Sequence, residues 1–278
     1  MISQLSGAFV RAVLVMVLIA TPSLMLPGTN ADTTQIVALV ALFAAALTFF
    51  EYASTYPGLV EFRDAPPFNR LRYISLLVTV LLLSAIVRGR TDPTTLTNFI
   101  DVIGTRIGIA IDVPYSPVRL VTLMLPEDMD VGHLILVRTA AGISYIVSLL
   151  TLAAFVIAMR VIGWPQRLGK FNVWINLPTF DPTTGGDVVQ RLQRDSRFNI
   201  ALGFLLPFLI PAAVKLASMA FQPVTLESPQ TLVWTMAAWA FLPASLFMRG
   251  IAMGRIAWMI AEKRKLNNLA AEADMLPA

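Results

Sequence analysis

Apolar positions along this chain gather into long blocks of the length of a lipid crossing, with polar residues collected between them. A crossing takes ~20 mainly apolar residues. The blocks cover residues 8–26, 34–50, 73–87, 134–163, 199–221 and 232–261, and they predict an all-α, polytopic transmembrane helix bundle of about six spans. The first two, separated by the turn-like run Pro27, Gly28, Thr29, Asn30, Ala31, Asp32, should form a tight hairpin. The third is short, and arginines at 70, 72, 88 and 90 can snorkel to complete it. The fourth is longer than a crossing needs and must tilt. The first block is too long for the apolar core of a cleaved signal, which runs to ~15 residues, so a retained helix is expected.

Two connections carry a pattern of their own. Between the third and fourth blocks, Leu96, Phe99, Ile100, Ile103, Ile107 and Ala110 recur at helical spacing opposite Asp101, Thr105, Gly108 and Asp112, which predicts an amphipathic helix over 96–111 lying in the interface plane. Its apolar face would turn to lipid or to the bundle. The apolar run 118–125 is too short to cross and could dip in as a re-entrant piece. Between the fourth and fifth blocks, residues 187–197 read as a short basic surface helix, with Val188, Val189 and Leu192 on one side and Arg191 and Arg194 on the other. Anionic headgroups would be its partner.

Composition agrees with this pattern. Of 278 residues, 56% are hydrophobic and 14% charged, with a mean hydropathy of +0.71; soluble domains carry ~25% charged residues. No segment between the blocks could bury a core of its own, so residues 1–278 form one integral membrane domain. The 21 Lys and Arg carry topology rather than a nucleic-acid signature. Arg11, Arg138 and Lys215 lie within blocks, and Arg88, Arg90, Arg106 and Arg119 on one side, leaving fourteen on the other. The richer side is expected to be cytoplasmic, which puts both termini in the cytoplasm of a plasma or inner membrane.

The absence of cysteine removes disulfides, thiolate metal sites and iron–sulfur clusters. A single histidine, His133, excludes a His cluster for zinc or copper. No phosphate-binding loop, HExxH, GxSxG or EF-hand loop is present, so no catalytic residue, metal ligand or cofactor is expected, and the chain is not expected to be an enzyme.

Polar and small residues inside the blocks are the remaining candidates. Pro207, Pro211 and Lys215 share one face of the fifth block, and the two prolines free the carbonyls of Gly203 and Pro207. Freed carbonyls beside a cation are what broken transporter helices use to bind solutes. Gly250 and Gly254 form a GxxxG in the sixth block that lets another backbone approach closely. Arg249 beside it is costly if it lies deep. Glu51 ends the second block and is expected to pair with Arg63, Arg70 or Arg72. Arg11 and Arg138 read as snorkelling anchors, and His133 with Asp128 and Asp130 as a solvated acidic turn. Two readings follow. One is a non-catalytic structural, accessory or assembly subunit of a larger membrane complex, with membrane lipids and other transmembrane proteins as partners and no nucleic acid. The other is a small-solute or ion transporter or channel working through Gly203, Pro207, Pro211 and Lys215.

Overall fold

The computed structural model describes residues 2–28, 31–165, 172–181, 183, 185–221 and 224–274. Thr29, Asn30, Arg167 and Lys170, used above for the first turn and the charge count, lie outside the described residues. Among those described, all regular structure is helical: α1 (Ile2–Met25), α2 (Ala31–Ala53), α3 (Phe68–Gly89), α4 (Thr95–Ile111), α5 (Pro117–Met124), α6 (Val131–Ile162), α7 (Val173–Asn176), α8 (Val188–Ser218) and α9 (Pro229–Asp274). Six of them, α1, α2, α3, α6, α8 and α9, are long and apolar enough to cross a membrane.

Contacts at the helix ends fix which ends share a pole. Gln4 at the start of α1 donates to the Ala53 carbonyl at the end of α2, and Arg264 near the end of α9 reaches Asp187 ahead of α8 at 2.6 Å. At the opposite pole, Gln230 at the start of α9 donates to Ser23 near the end of α1. There too His133 Nε2 lies 2.9 Å from the Thr225 carbonyl. The start of α1 and the far end of α9 therefore share one pole, called here the amino pole. At that pole Asp187 caps α8 by accepting from the Gln190 amide, and the hydrogen bond from Arg264 holds its carboxyl below the usual carboxylate range.

One expectation fails outright in form. The surface helix read over 187–197 is not a separate element but the first turns of α8. No glycine or proline interrupts 187–202, and the helix register runs unbroken: Val189, Leu192, Ser196, Asn199, Gly203, Pro207 and Pro211 form one buried stripe. The sixth span likewise continues beyond residue 261, passing through Pro243 without a break and ending at Asp274.

Helix α4 exists where the periodicity put it, capped by Thr94 and Thr97 in a reciprocal capping box. Its packing reverses the usual soluble order. Leu96, Phe99 and Ile103 are exposed, while Gly104 and Gly108 lie against α6, where Cβ atoms would meet Thr139 and the Arg138 carbonyl. Thr105 and Thr139 are hydrogen-bonded at 3.2 Å. Small and hydroxyl residues form the helix contact and large apolar ones face outward, as interfaces between helices in lipid do. The 118–125 run forms α5, with Val118, Val121 and Met124 buried in the bundle.

Two apolar cores divide the bundle along its length. One joins Leu83, Val118, Val137 and Trp239; the other, at the amino pole, joins Phe62, Phe68, Phe155, Trp164, Leu192 and Met253. The second includes loop residues, which composition alone did not suggest. Phe62 adopts a left-handed φ of 53°, a strain of ~1–3 kcal/mol for a non-glycine residue. Its amide donates to the Asn176 carbonyl at 2.7 Å, and its ring packs 4.4 Å from Phe68 and 6.0 Å from Trp164, centroid to centroid. Burial of the ring offsets the backbone cost and pins the 54–67 loop across the pole.

Candidate functional site

The seam between α8 and α9 holds most of the residues picked from sequence. Gly203 sits where a Cβ would stand 2.7 Å from both the Phe247 amide nitrogen and the Pro243 carbonyl. A Cβ on Gly250 would stand 2.7 Å from the Ser196 carbonyl and from Ile200 Cγ1, and one on Gly254 2.8 Å from Ser196 Oγ. Ser196 Oγ itself donates to the Gly250 carbonyl at 2.7 Å. The structure thus places Gly250 and Gly254 against α8 of the same chain. Pro211 frees the Pro207 carbonyl, and Trp239 Nε1 donates to it at 3.1 Å from α9. Lys215 is half-buried one turn before the end of α8. The residues of the expected site are therefore divided: Gly203 and Pro207 engage α9, and Lys215 stands toward the opposite pole.

Other charged residues found partners that spacing did not reveal. Glu51 does not use an arginine as its direct partner. The chain turns back over the end of α2 after Pro57, and the amides of Gly58, Leu59 and Val60 converge on the carboxylate at 2.9–3.2 Å. Arg63 donates instead to the carbonyls of Glu51 and Ser54 and pairs with Asp64. Arg138 lies 3.6 Å from Asp112, which also faces Arg119 at 3.5 Å. Among the described residues no group of His, Asp or Glu is arranged to hold a metal ion.

A cluster of charged and aromatic side chains lies at the amino pole, between α1, α2, α3 and the 54–67 loop. A cavity of about 1010 Å³ opens there. Gly7, Val10, Arg11, Leu14 and Val15 line it from α1, positions that share one helix face by their spacing. Arg11 stacks over the Tyr52 ring at 4.7 Å from α2's last turn, and Tyr73 at the start of α3 donates to the Leu14 carbonyl. Arg70 and Arg72 complete the cationic lining. The Arg72 guanidinium lies between the Phe68 and Phe241 rings, at 5.3 and 5.7 Å, and its buried Nε has no hydrogen-bond partner.

One carboxylate lines the same space, Glu61. It is bound bidentately by Arg249, at 2.6 and 2.8 Å, and accepts from Thr179 Oγ1 at 2.6 Å. The pair ties the 54–67 loop to α9 and the loop before α8. It also explains how Arg249 is accommodated inside an apolar helix: fork-shaped contacts match its charge and geometry together. Sequence reasoning missed this site because its members are spread from Arg11 to Arg249. Arg11, Arg70 and Arg72 read singly as snorkelling anchors and Arg249 as a charge that is costly if deep, while Glu61 carries no reading of its own. The signal available was Glu61 itself, a carboxylate in an apolar, proline-bounded loop facing a cation inside a span.

No family model, curated protein or solved structure matches this chain.

Proposed function

We propose that the chain is a non-catalytic structural or assembly subunit of a larger membrane complex, set in a plasma or inner membrane with both termini in the cytoplasm. The observation that carries this reading is the use made of polar groups within the long helices and in the segments packed against them. The Pro207 carbonyl is engaged by Trp239, Glu61 by Arg249 and Thr179, Ser196 by Gly250, and Thr105 by Thr139. A solute site in the fifth span needs its freed carbonyls and cation to converge on free space. Here the carbonyl is spent on helix packing and Lys215 lies two turns away along α8, which weighs against the transporter reading. Orientation rests on the charge excess at the amino pole. Helix α2 adds support: it packs on α1 along one side, and its other side, with Ile36, Leu39, Phe43 and Phe50 exposed, is open to neighbours in the bilayer.

Affinity purification in mild detergent followed by mass spectrometry tests the proposal. One or a few membrane proteins should be recovered in stoichiometric amounts. Recovery of the chain alone, together with solute uptake or conductance in proteoliposomes that Lys215→Met abolishes, would overturn it in favour of a transporter.

A further inference from the structure

We propose that the cavity at the amino pole is a binding site for an anionic phospholipid, whose phosphate takes Arg11, Arg70 and Arg72 and whose acyl chain lies along Val10, Leu14 and Ile74. The inference goes beyond a scaffold role, since it assigns a ligand class to a site the helix packing leaves open. Charge gives the first argument. The lining carries three guanidiniums and one carboxylate, and Glu61 is already matched by Arg249 from outside the cavity. A net positive charge therefore remains. Arg72 lines the same space with its Nη1 donating to Asn69 Oδ1 at 3.3 Å, and among the described residues no carboxylate lies within ion-pair distance of it, so its charge is open to an anion.

Shape gives the second. At about 1010 Å³ the space is at the upper end of ligand pockets, ~300–1,000 Å³, and a phosphate group alone would leave most of it unfilled. Val10, Leu14 and Ile74 line it and are all exposed, so it opens sideways between α1 and α3, toward where acyl chains stand. Depth gives the third. Arg11 lies against Tyr52 at the end of α2 and Arg72 against Phe68 at the start of α3, and helix ends are where headgroups are expected to meet a spanning bundle. A partner helix would fill the apolar wall but leave the guanidiniums without an anion, so a lipid is the better match to both halves.

Native mass spectrometry of the purified full chain, titrated with phosphatidylglycerol, phosphatidylcholine of the same acyl chains, or inorganic phosphate, tests this. The expected result is one tightly held phosphatidylglycerol, with phosphatidylcholine binding at least tenfold weaker and 10 mM inorganic phosphate failing to displace the lipid. Arg11→Gln/Arg70→Gln should weaken phosphatidylglycerol binding at least tenfold, with a melting temperature lowered only by loss of the Arg11–Tyr52 stack, because both side chains reach the surface. Ile74→Trp should weaken it by obstructing the apolar wall while leaving the arginines in place. Equal retention of the two lipids, undiminished binding by the Arg11/Arg70 variant, or displacement by free phosphate would each overturn the proposal. A photo-crosslinker at Ile74 that captures protein rather than lipid in native membranes would do the same.

Discussion

The Glu61–Arg249 pair offers the sharpest test of how this bundle handles charge, because it links a loop to the middle of the longest helix. Its side chains are 13% and 26% exposed, intermediate between a surface pair and a fully desolvated one. Breaking a buried pair by removing one partner costs ~3–5 kcal/mol, and the residual exposure lowers the figure here to about 2 kcal/mol, within the range of hydrogen bonds to charged groups. For a chain of this size that corresponds to about 4–8 °C in melting temperature. Arg249→Met should show it by thermal unfolding in detergent, since Glu61 is left with only the Thr179 hydroxyl as a direct partner. Glu61→Gln should lose somewhat less, because the amide oxygen still accepts from Thr179. The double variant removes both charges and leaves no uncompensated ion, so it should recover at least half of the loss of Arg249→Met. If the two losses simply add, the pair contributes nothing as a pair, and the account of Arg249 given above is wrong.

Two further outcomes follow from the α8/α9 seam. Gly203→Ala and Gly250→Ala place a Cβ 2.7 Å from backbone atoms of the facing helix and should each cost about 1–3 kcal/mol, whereas Gly254→Ala meets only the Ser196 hydroxyl and should cost less; equal melting temperatures for the three variants would contradict the packing. Trp239→Phe should cost about 1 kcal/mol by orphaning the Pro207 carbonyl, and much less in a Pro211→Ala background, where the restored amide at 211 can take that carbonyl; an identical loss in both backgrounds, read by thermal unfolding, would refute the link.

What sequence made legible, and what it did not, divides on physical grounds. The long helices were readable because each is decided locally: every backbone group is satisfied within its own segment, so an apolar block of sufficient length is enough. Boundaries slipped where hydropathy and helicity part company. Residues 188–198 are polar but contain nothing that stops a helix, and α8 runs straight through them into its apolar part. The direction in which α4 faces was open in sequence, because amphipathicity gives two faces without saying which solvent each meets. Gly104 and Gly108 decide it, since only a bare backbone fits against Arg138 and Thr139. The amino-pole site is a different matter. Arg11, Tyr52, Glu61, Arg72, Thr179 and Arg249 come from separate helices and loops, and no local rule joins them.

The division also bears on what the site is for. A bundle needing only stability could fill the space between α1 and α3 with leucine and phenylalanine, as it does around Phe62, Phe68 and Phe155. Replacing a buried ion pair by packed apolar residues is often neutral or stabilising, so the Glu61–Arg249 pair and the three arginines beside it are not accounted for by stability alone. The strained Phe62 backbone and the Asn176 bonds to Phe62 and Asp64 hold the loop that carries Glu61 in a fixed position along the cavity wall. Glu61 thereby engages Arg249 on α9, and Arg11, Arg70 and Arg72 are left facing the open space without a carboxylate of their own. A rigid frame that engages the one acid of this lining elsewhere and, among the described residues, gives Arg11 and Arg72 only ring and amide partners is arranged for an anion that comes from outside the chain.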